Sequence, residues 1–418
     1  MNVIGDRERG SAEPAQGVAM KKGWQTKKLG EVTTKIGSGA TPHGGNESYK
    51  AEGIALIRSL NVYDDGFREA KLARIDDEQA DDLSNVVVEP HDVLLNITGA
   101  SVARCCRAPA DFLPARVNQH VSIIRPVQHK LNSDFLHYLL ISKIYKDRLL
   151  HTGEEGGSTR QAITKAQLQE FLVEFPESLA EQQRIVALLD EAFAGLATAK
   201  ANAERNLLNA RAIFESHLQS VFTPRDGEGW ATMQLGDVCD FKGGSQPPKS
   251  QFVYEARSGY VRFLQIRDYA SEKHETYIPE STKNRLCNSG DIMIGRYGAS
   301  VGKILTGLAG AYNVALIKTM PDLRLLDRTF FFHYLRSGAF QQRLADVASR
   351  SAQDGFGKDD IYGFPVPVPS LNDQQKVIQQ MEPLSVETQR LTRLYERKLA
   401  ALEELKKSLL HQAFNGEL

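Results

Sequence analysis

Cysteine is scarce in this chain, four in 418 residues. Cys105 and Cys106 are adjacent, Cys239 and Cys287 stand alone, and no C-x-x-C occurs. Neither metal-ligand spacing nor a disulfide framework is present, so free thiols in a reducing cytoplasm are predicted. No apolar run approaches the roughly 18 residues of a membrane span, and no charged-then-apolar leader opens the chain. A membrane partner is not expected. Net charge is nearly absent too: 51 Lys and Arg against 52 Asp and Glu, a balance of -1. A nucleic-acid binder usually carries a basic footprint. Such a role here requires segregated charge, with acidic helices and basic loops, or a partner that supplies most phosphate contacts.

Catalytic signatures are missing as well. Gly298-Ala299-Ser300-Val301-Gly302-Lys303-Ile304 has the look of a phosphate loop, but Tyr297 stands where the first Gly is needed and Ile304 where Ser or Thr is needed. No G-x-G-x-x-G follows a strand, and the ten histidines include no H-E-x-x-H. Pro247-Pro248 lies between Gln246 and Lys249, so it is not the Asp/Asn-Pro-Pro-aromatic site of an amino-methyltransferase. A non-catalytic chain with no cofactor and no metal of its own is the expectation.

What is present is a duplication. Gly23-Trp24 with Leu29-Gly30-Glu31-Val32 returns as Gly229-Trp230 with Leu235-Gly236-Asp237-Val238. Gly99-Ala100-Ser101-Val102 returns as Gly298-Ala299-Ser300-Val301, and Asn118 with Pro126 as Asn313 with Pro321. His137-Tyr138-Leu139 matches His333-Tyr334-Leu335, and Glu181-Gln182-Gln183-Arg184-Ile185 matches Asp373-Gln374-Gln375-Lys376-Val377. The offset drifts from 206 residues (Gly23 to Gly229) to 192 (Gln182 to Gln374), so the halves are collinear. One long unit repeated once is a duplicated domain and not a solenoid.

Each half divides into a mixed module and a long helix, an α+β arrangement. Short strands are predicted at 54–57, 86–88, 93–95, 121–124, 261–264, 292–294 and 314–317. A helix is predicted over 133–150 and its repeat over 328–344. After Pro176, Ile185, Leu189, Ala192, Leu196, Ala199 and Ala203 step by four and three, a heptad seam. It continues through Leu207, Ala210, Phe214, Leu218 and Val221 after a register shift. Val377, Met381, Leu384, Leu391, Tyr395, Leu402, Leu405 and Leu409 repeat it. About 40 residues make a rod of roughly 60 Å. Small residues on one seam and large ones on the other favour an antiparallel coiled coil between two helices related by a pseudo-twofold internal repeat. The alternative is that each helix caps its own module. Pro383 predicts a kink or a late helix start. The domain boundaries expected are 1–19 for a disordered tail (or an upstream start, with Met20 the natural one), 20–176 and 223–368 for two globular modules, and 177–222 and 369–418 for the helices.

Three loop regions recur. The first holds Ser38, Thr41, His43 and Asn46, against Ser245, Gln246 and Lys249. The second holds Asn96, Thr98 and Arg104, against Arg296, Tyr297 and Lys303. The third holds Ser158, Arg160, Gln161 and Lys165, against Arg350, Gln353 and Lys358. Asn and Gln suit adenine bidentately, Arg suits guanine, and Ser, Thr and Lys donate to phosphates. These twenty residues are the candidate DNA contacts; plain surface turns and a solvated helix start are the alternative reading.

Two variable modules opening on Gly-Trp…Leu-Gly-Glu/Asp-Val alternate with two similar long helices that start near Glu/Asp-Gln-Gln-Arg/Lys. The chain closes on Leu405-Lys406-Lys407-Ser408-Leu409-Leu410-His411-Gln412-Ala413-Phe414-Asn415-Gly416-Glu417-Leu418. From Gly23 to Leu418 this order resembles the specificity subunit of type I restriction-modification systems. The resemblance implies two target-recognition domains, each reading one half of a split sequence in double-stranded DNA. It implies helices that span the unread spacer and dock two methyltransferase subunits. S-adenosylmethionine would belong to those subunits, and ATP and Mg to the restriction/translocase subunits. The competing readings are the specificity subunit of a methyltransferase–nuclease fusion and a coiled-coil scaffold with two protein-binding modules.

Overall fold

The computed structural model describes residues 21–42, 44–154, 162–223, 230–350, 355–415 and 417. They fall into two compact units, Met1–Asn202 with Leu399–Leu418, and Ala203–Lys398. The fold is α+β in both.

In the first unit Trp24–Lys28 pairs antiparallel with Leu172–Pro176, tying the start of the module to its end. Between them lies an antiparallel sheet in the order Thr33–Ser38, Val121–Pro126, Val93–Asn96, Cys105–Arg107. A second sheet runs Ala73–Ile75, Ile54–Ile57, Ala115–Val117, Val87–Val88, with a parallel pair at its centre. The two inner strands, Val121–Pro126 and Val93–Asn96, are covered on both faces, which is why they are mostly apolar. Val93, Leu95, Cys105 and Ile124 enter the core beneath the helices. Leu94, Cys106 and Ile123 enter the core shared with the second sheet. Adjacent residues of a strand point to opposite faces, so the neighbouring thiols of Cys105 and Cys106 lie in different cores, both free.

The second unit repeats this order. Ala231–Gln234 pairs with Pro365–Val368. One sheet runs Cys239–Gly243, Leu316–Pro321, Met293–Gly295, Ile304–Leu305, and the other Tyr277–Pro279, Tyr260–Leu264, Gly310–Tyr312, Leu286–Cys287. The strands nearest the opening Trp strand, Thr33–Ser38 and Cys239–Gly243, were not predicted; their Gly and Lys content reads as loop.

The predicted single helices are each two. Ser133–Ile141 is followed by Lys143–Glu154, and Arg328–Arg336 by Gly338–Ala348. The break falls on Ser142 and Ser337, both extended at ψ 148° and 152°. Their hydroxyls donate to the carbonyls of Leu139 (2.6 Å) and Tyr334 (2.7 Å). A serine that bonds local backbone competes with helix continuation. The breaks and the caps (Asn132 and Asp327) are both 195 residues apart. The His-Tyr-Leu match, at 196, is therefore one residue out of structural register. Phe135 and Phe330 are the true counterparts, each packed on the opening Trp at 6.0 and 6.2 Å between ring centroids.

The long helices span Leu179–Phe222 and Leu371–Asn415. In the first unit they run antiparallel: Lys200 pairs with Glu403 (2.7 Å), Lys406 lies over Phe193 (5.2 Å), and Ile185 and Leu189 share a core with Leu410, Ala413 and Phe414. In the second, Arg211 pairs with Glu396 (3.0 Å), and Phe214, Leu218 and Phe222 share a core with Val377 and Met381. Ala203 and Ala210 are buried on the predicted seam. Leu405 is not on it; it is 48% exposed, and the half-buried Lys406 takes the seam position. The helix does not start late at Pro383 but passes through it. Pro383 and Gln379 both face outward, where water can meet the carbonyl that proline leaves free.

Among the interactions that join each long helix to its module, one buried amide is repeated. Gln182 is fully buried; its amide donates to Lys130 O (3.0 Å) and Pro176 O (2.8 Å) and accepts from Asn132 N–H (2.8 Å). Gln374 repeats all three contacts, to Leu325 O (2.7 Å), Pro369 O (2.9 Å) and from Asp327 N–H (2.7 Å). Replacing Gln182 by Leu strands one buried donor and two acceptors, each costing about 1–3 kcal/mol. Gln182→Leu is expected to speed amide exchange in the first unit and leave the second unchanged; exchange mass spectrometry checks this.

His137 and His333 are buried, and burial, with Arg107 and Arg336 respectively beside them, lowers both imidazoles to about 4. An unfolded histidine titrates near 6.5. The unfolded chain therefore binds more protons between these values, and stability is lost as pH falls from about 6.5 towards 4. A His137→Gln, His333→Gln double variant is expected to show a shallower fall in melting temperature between pH 7 and 4.5.

Candidate nucleic-acid interface

In the first unit the loops meet at one end of the antiparallel sheet. Gly39 leaves its edge strand against the next turn so closely that an added Cβ would lie 1.8 Å from the Val117 carbonyl oxygen. Asn118 closes that turn, its Oδ1 accepting from His120 N–H at 3.1 Å. A chain of side chains then crosses the loops. The Thr41 hydroxyl donates to Gln119 Oε1. Gln119 Nε2 lies 3.2 Å from His120 Nε2, and His120 Nδ1 lies 2.5 Å from Thr98 Oγ1. An amide nitrogen can only donate, so Nε2 accepts and Nδ1 carries the proton towards Thr98. Thr98 in turn bridges Ala162, and Ile163 N–H donates to Ile97 O at 2.8 Å. The first loop, the second loop and the end of the third are thus stitched side by side.

The second unit builds the same end with different side chains. A Cβ on Gly244 would lie 2.0 Å from Asn313 O. Asn313 Oδ1 accepts from Ala315 N–H at 3.1 Å. Tyr297 bridges Gly355, the counterpart of Thr98 with Ala162. Arg296 Nε donates to Phe356 O at 2.6 Å, so this guanidinium ties the second loop to the third.

The candidate residues separate accordingly. Thr41, Thr98, Ser245, Arg296 and Tyr297 sit within these stitched loops. Gln246, Lys249, Lys303, Arg350 and Lys358 are exposed. Arg104 is half-buried, stacked on Tyr63 (4.7 Å), whose ring also carries Arg68 (3.9 Å). Asn96 is fully buried; its side-chain nitrogen donates to Ser59 O (2.9 Å), and its Oδ1 has no partner among the described residues. Its place is fixed because its strand is covered on both faces. His43, Ser158, Arg160, Gln161 and Gln353, and the side chain of Asn46, lie outside the described residues. Ser38 and Lys165 line one cleft of about 470 Å³ with Thr33, Lys35, Asn85 and Gln169. Gln119, His120, Lys35 and Gln169 escaped the sequence reading. The repeated Asn118 and Asn313 are the sequence signal for the first two, since each marks the turn that these neighbours follow.

No group of histidine, cysteine and carboxylate side chains among the described residues could hold a metal. No described helix is long and apolar enough to cross a membrane.

The family model of the type I restriction modification DNA specificity domain matches residues 21–206 and again residues 227–403. The chain belongs to that family. Like the other specificity subunits it is the non-catalytic, DNA-recognising member of a type I restriction-modification system, working with methyltransferase and restriction subunits. It is similar to the type I restriction enzyme EcoDI specificity subunit of Escherichia coli, 23% identical over 72% of this chain and 73% of the relative. The EcoKI specificity subunit of E. coli K12 is 20% identical over 96% of this chain and 90% of its own length. A solved chain described with the complex assembly and conformational transition of the type I R-M system shares the fold at a TM-score of 0.76 and 19% identity, covering 96% of this chain and 100% of the other. The HsdS subunit from Thermoanaerobacter tengcongensis does so at 0.57 and 21%, covering 96% and 98%.

Gly244→Ala is expected to disrupt the second specificity module, because the added methyl meets backbone that cannot move aside. Loss of specific DNA binding with the first unit still folded, read by local amide exchange, checks this.

Proposed function

We propose that each unit reads one half of a bipartite double-stranded DNA target, with recognition domains over 20–176 and 223–368. The observation that carries this is the same stitched loop end in both units with different side chains at matched positions, Ile97-Thr98 in one and Arg296-Tyr297 in the other. Equal scaffolds with unequal chemistry suit two different half-sites. Of the candidates, Ser38, Thr41, Thr98, Arg104, Lys165, Ser245, Gln246, Lys249, Arg296, Tyr297, Lys303, Arg350 and Lys358 remain available for contact, together with those outside the described residues.

The helices set the spacer and dock two methyltransferase subunits. Leu208 and Ile213, and Val386 and Leu394, are exposed on them, as are Leu188 and Leu405. Exposed large apolar residues on a helix favour a protein partner. S-adenosylmethionine then belongs to the methyltransferase subunits, ATP and Mg to the restriction subunits, and the complex works in the cytoplasm.

Co-expression with the adjacent methyltransferase gene and single-molecule sequencing of host DNA tests this reading. A split methylated-adenine motif with a constant gap is expected; a complex that forms and methylates a continuous motif overturns the bipartite reading. Inserting four residues near Leu207 is expected to change the gap and leave both half-sites the same. Altered half-sites, or a fixed gap, would remove the ruler role.

A further inference from the structure

The cleft beside Thr33–Ser38 carries a lysine at a position where the matching strand of the second unit carries a carboxylate. It runs along an edge strand of the first sheet, from Gly30 to Ser38 where the first loop begins, and reaches Lys165 just past the third loop. Its lining holds Lys35 and Lys165 among Thr, Ser, Asn and Gln, with no carboxylate. The Lys35 ammonium donates to Asn85 O. An ammonium has three donors, so two are left to face the cleft. Lys165 has no ion-pair or hydrogen-bond partner of its side chain among the described residues.

The matching position in the second unit follows from two close contacts. Gly30 abuts Gln169 in the first unit, and Gly236 abuts Tyr362 in the second. With Gly39 matched to Gly244, Lys35 falls on Asp240, and Lys165 on Lys358. The Tyr362 hydroxyl donates to Asp240 and, with the Phe241 N–H, holds its carboxyl below the ordinary range. A carboxylate therefore stands where the first unit has an ammonium, and Lys358 lies 5.7 Å from the Tyr362 ring centroid.

We propose that the Lys35–Lys165 cleft is a phosphodiester site, used by the first unit alone to hold the DNA backbone. The inference rests on the DNA-reading function above and divides its labour: these lysines position, and the loop ends read bases. It also answers the charge problem, since two cations without a carboxylate form a local basic patch that a balance of -1 conceals. In the second unit Asp240 repels a phosphate at the same place, so backbone contacts there must come from elsewhere.

The test uses the whole complex with its methyltransferase subunits, a duplex carrying the methylated motif, and titrations from 50 to 300 mM salt. Each phosphate held contributes about 0.9 to the slope of log affinity against log salt. Lys35→Gln with Lys165→Gln is expected to make that slope shallower by roughly 1 to 2, with the same motif methylated. Asp240→Asn, which removes the repulsion, is expected not to make the slope shallower; a shallower slope overturns the charge argument. An unchanged slope in the double lysine variant overturns the proposal, and so does a changed motif, which would make the lysines base readers. If the unaltered complex binds all duplexes alike, the DNA-reading assignment fails first, and the cleft loses its ligand with it.

Discussion

A buried amide at the start of each long helix is the constraint on which the remaining architecture depends. Gln182 and Gln374 each satisfy three backbone groups from two other segments, the turn that caps a module helix and the strand that closes the module. A buried polar group is costly unless all its bonds are made, so the geometry tolerates little slack. It fixes where the helix leaves the module and in which direction. From that direction follow the seam residues that meet the other helix and the place where Phe414 or Phe222 reaches the aromatic cluster around the opening Trp.

The duplication shows which parts of a module are free to vary. Tyr145 OH accepts the backbone N–H of Glu174 at 3.0 Å. In the second unit the strand residue is Pro367, which has no N–H, and the helix residue is Phe340, which has no hydroxyl. Donor and acceptor were lost together, and the core stayed satisfied. The stitched loops follow the same logic. Their backbone bridges are common to both units, whereas one is held by a threonine–histidine pair and the other by a guanidinium on a carbonyl.

Much of this was legible beforehand. The duplication, the α+β class and the seam through Ile185, Leu189, Ala203, Ala210 and Phe214 follow from period and repetition, which are local. Errors arose where tertiary contacts decide. The serine breaks at Ser142 and Ser337 look like ordinary helix interior, because their hydroxyl bonds are invisible in a pattern of apolar residues. The His-Tyr-Leu match persuaded by identity, but the Trp24–Phe135 and Trp230–Phe330 contacts set the register one residue away. Asn96 reads as a base contact by residue type, and nothing in the sequence shows that it is buried. Lys35 was passed over because it stands in a strand, and no residue in its neighbourhood of the sequence hints that Lys165 shares its cleft.

The cation on the helix seam marks a place where the two repeats part. Lys406 rests on Phe193, and Phe193 in turn packs edge-on to Tyr138 of the module, at 5.5 Å. In the second unit the phenyl facing the module helix is Phe214, against His333 at 6.1 Å, on the same long helix as Phe193 but near its other end. The helix that leaves the first module thus carries the ring there, whereas in the second unit it is carried by the helix that arrives, so the two repeats differ at this contact. A recognition module moved from one position to the other would keep its own face but meet a different ring on the helices.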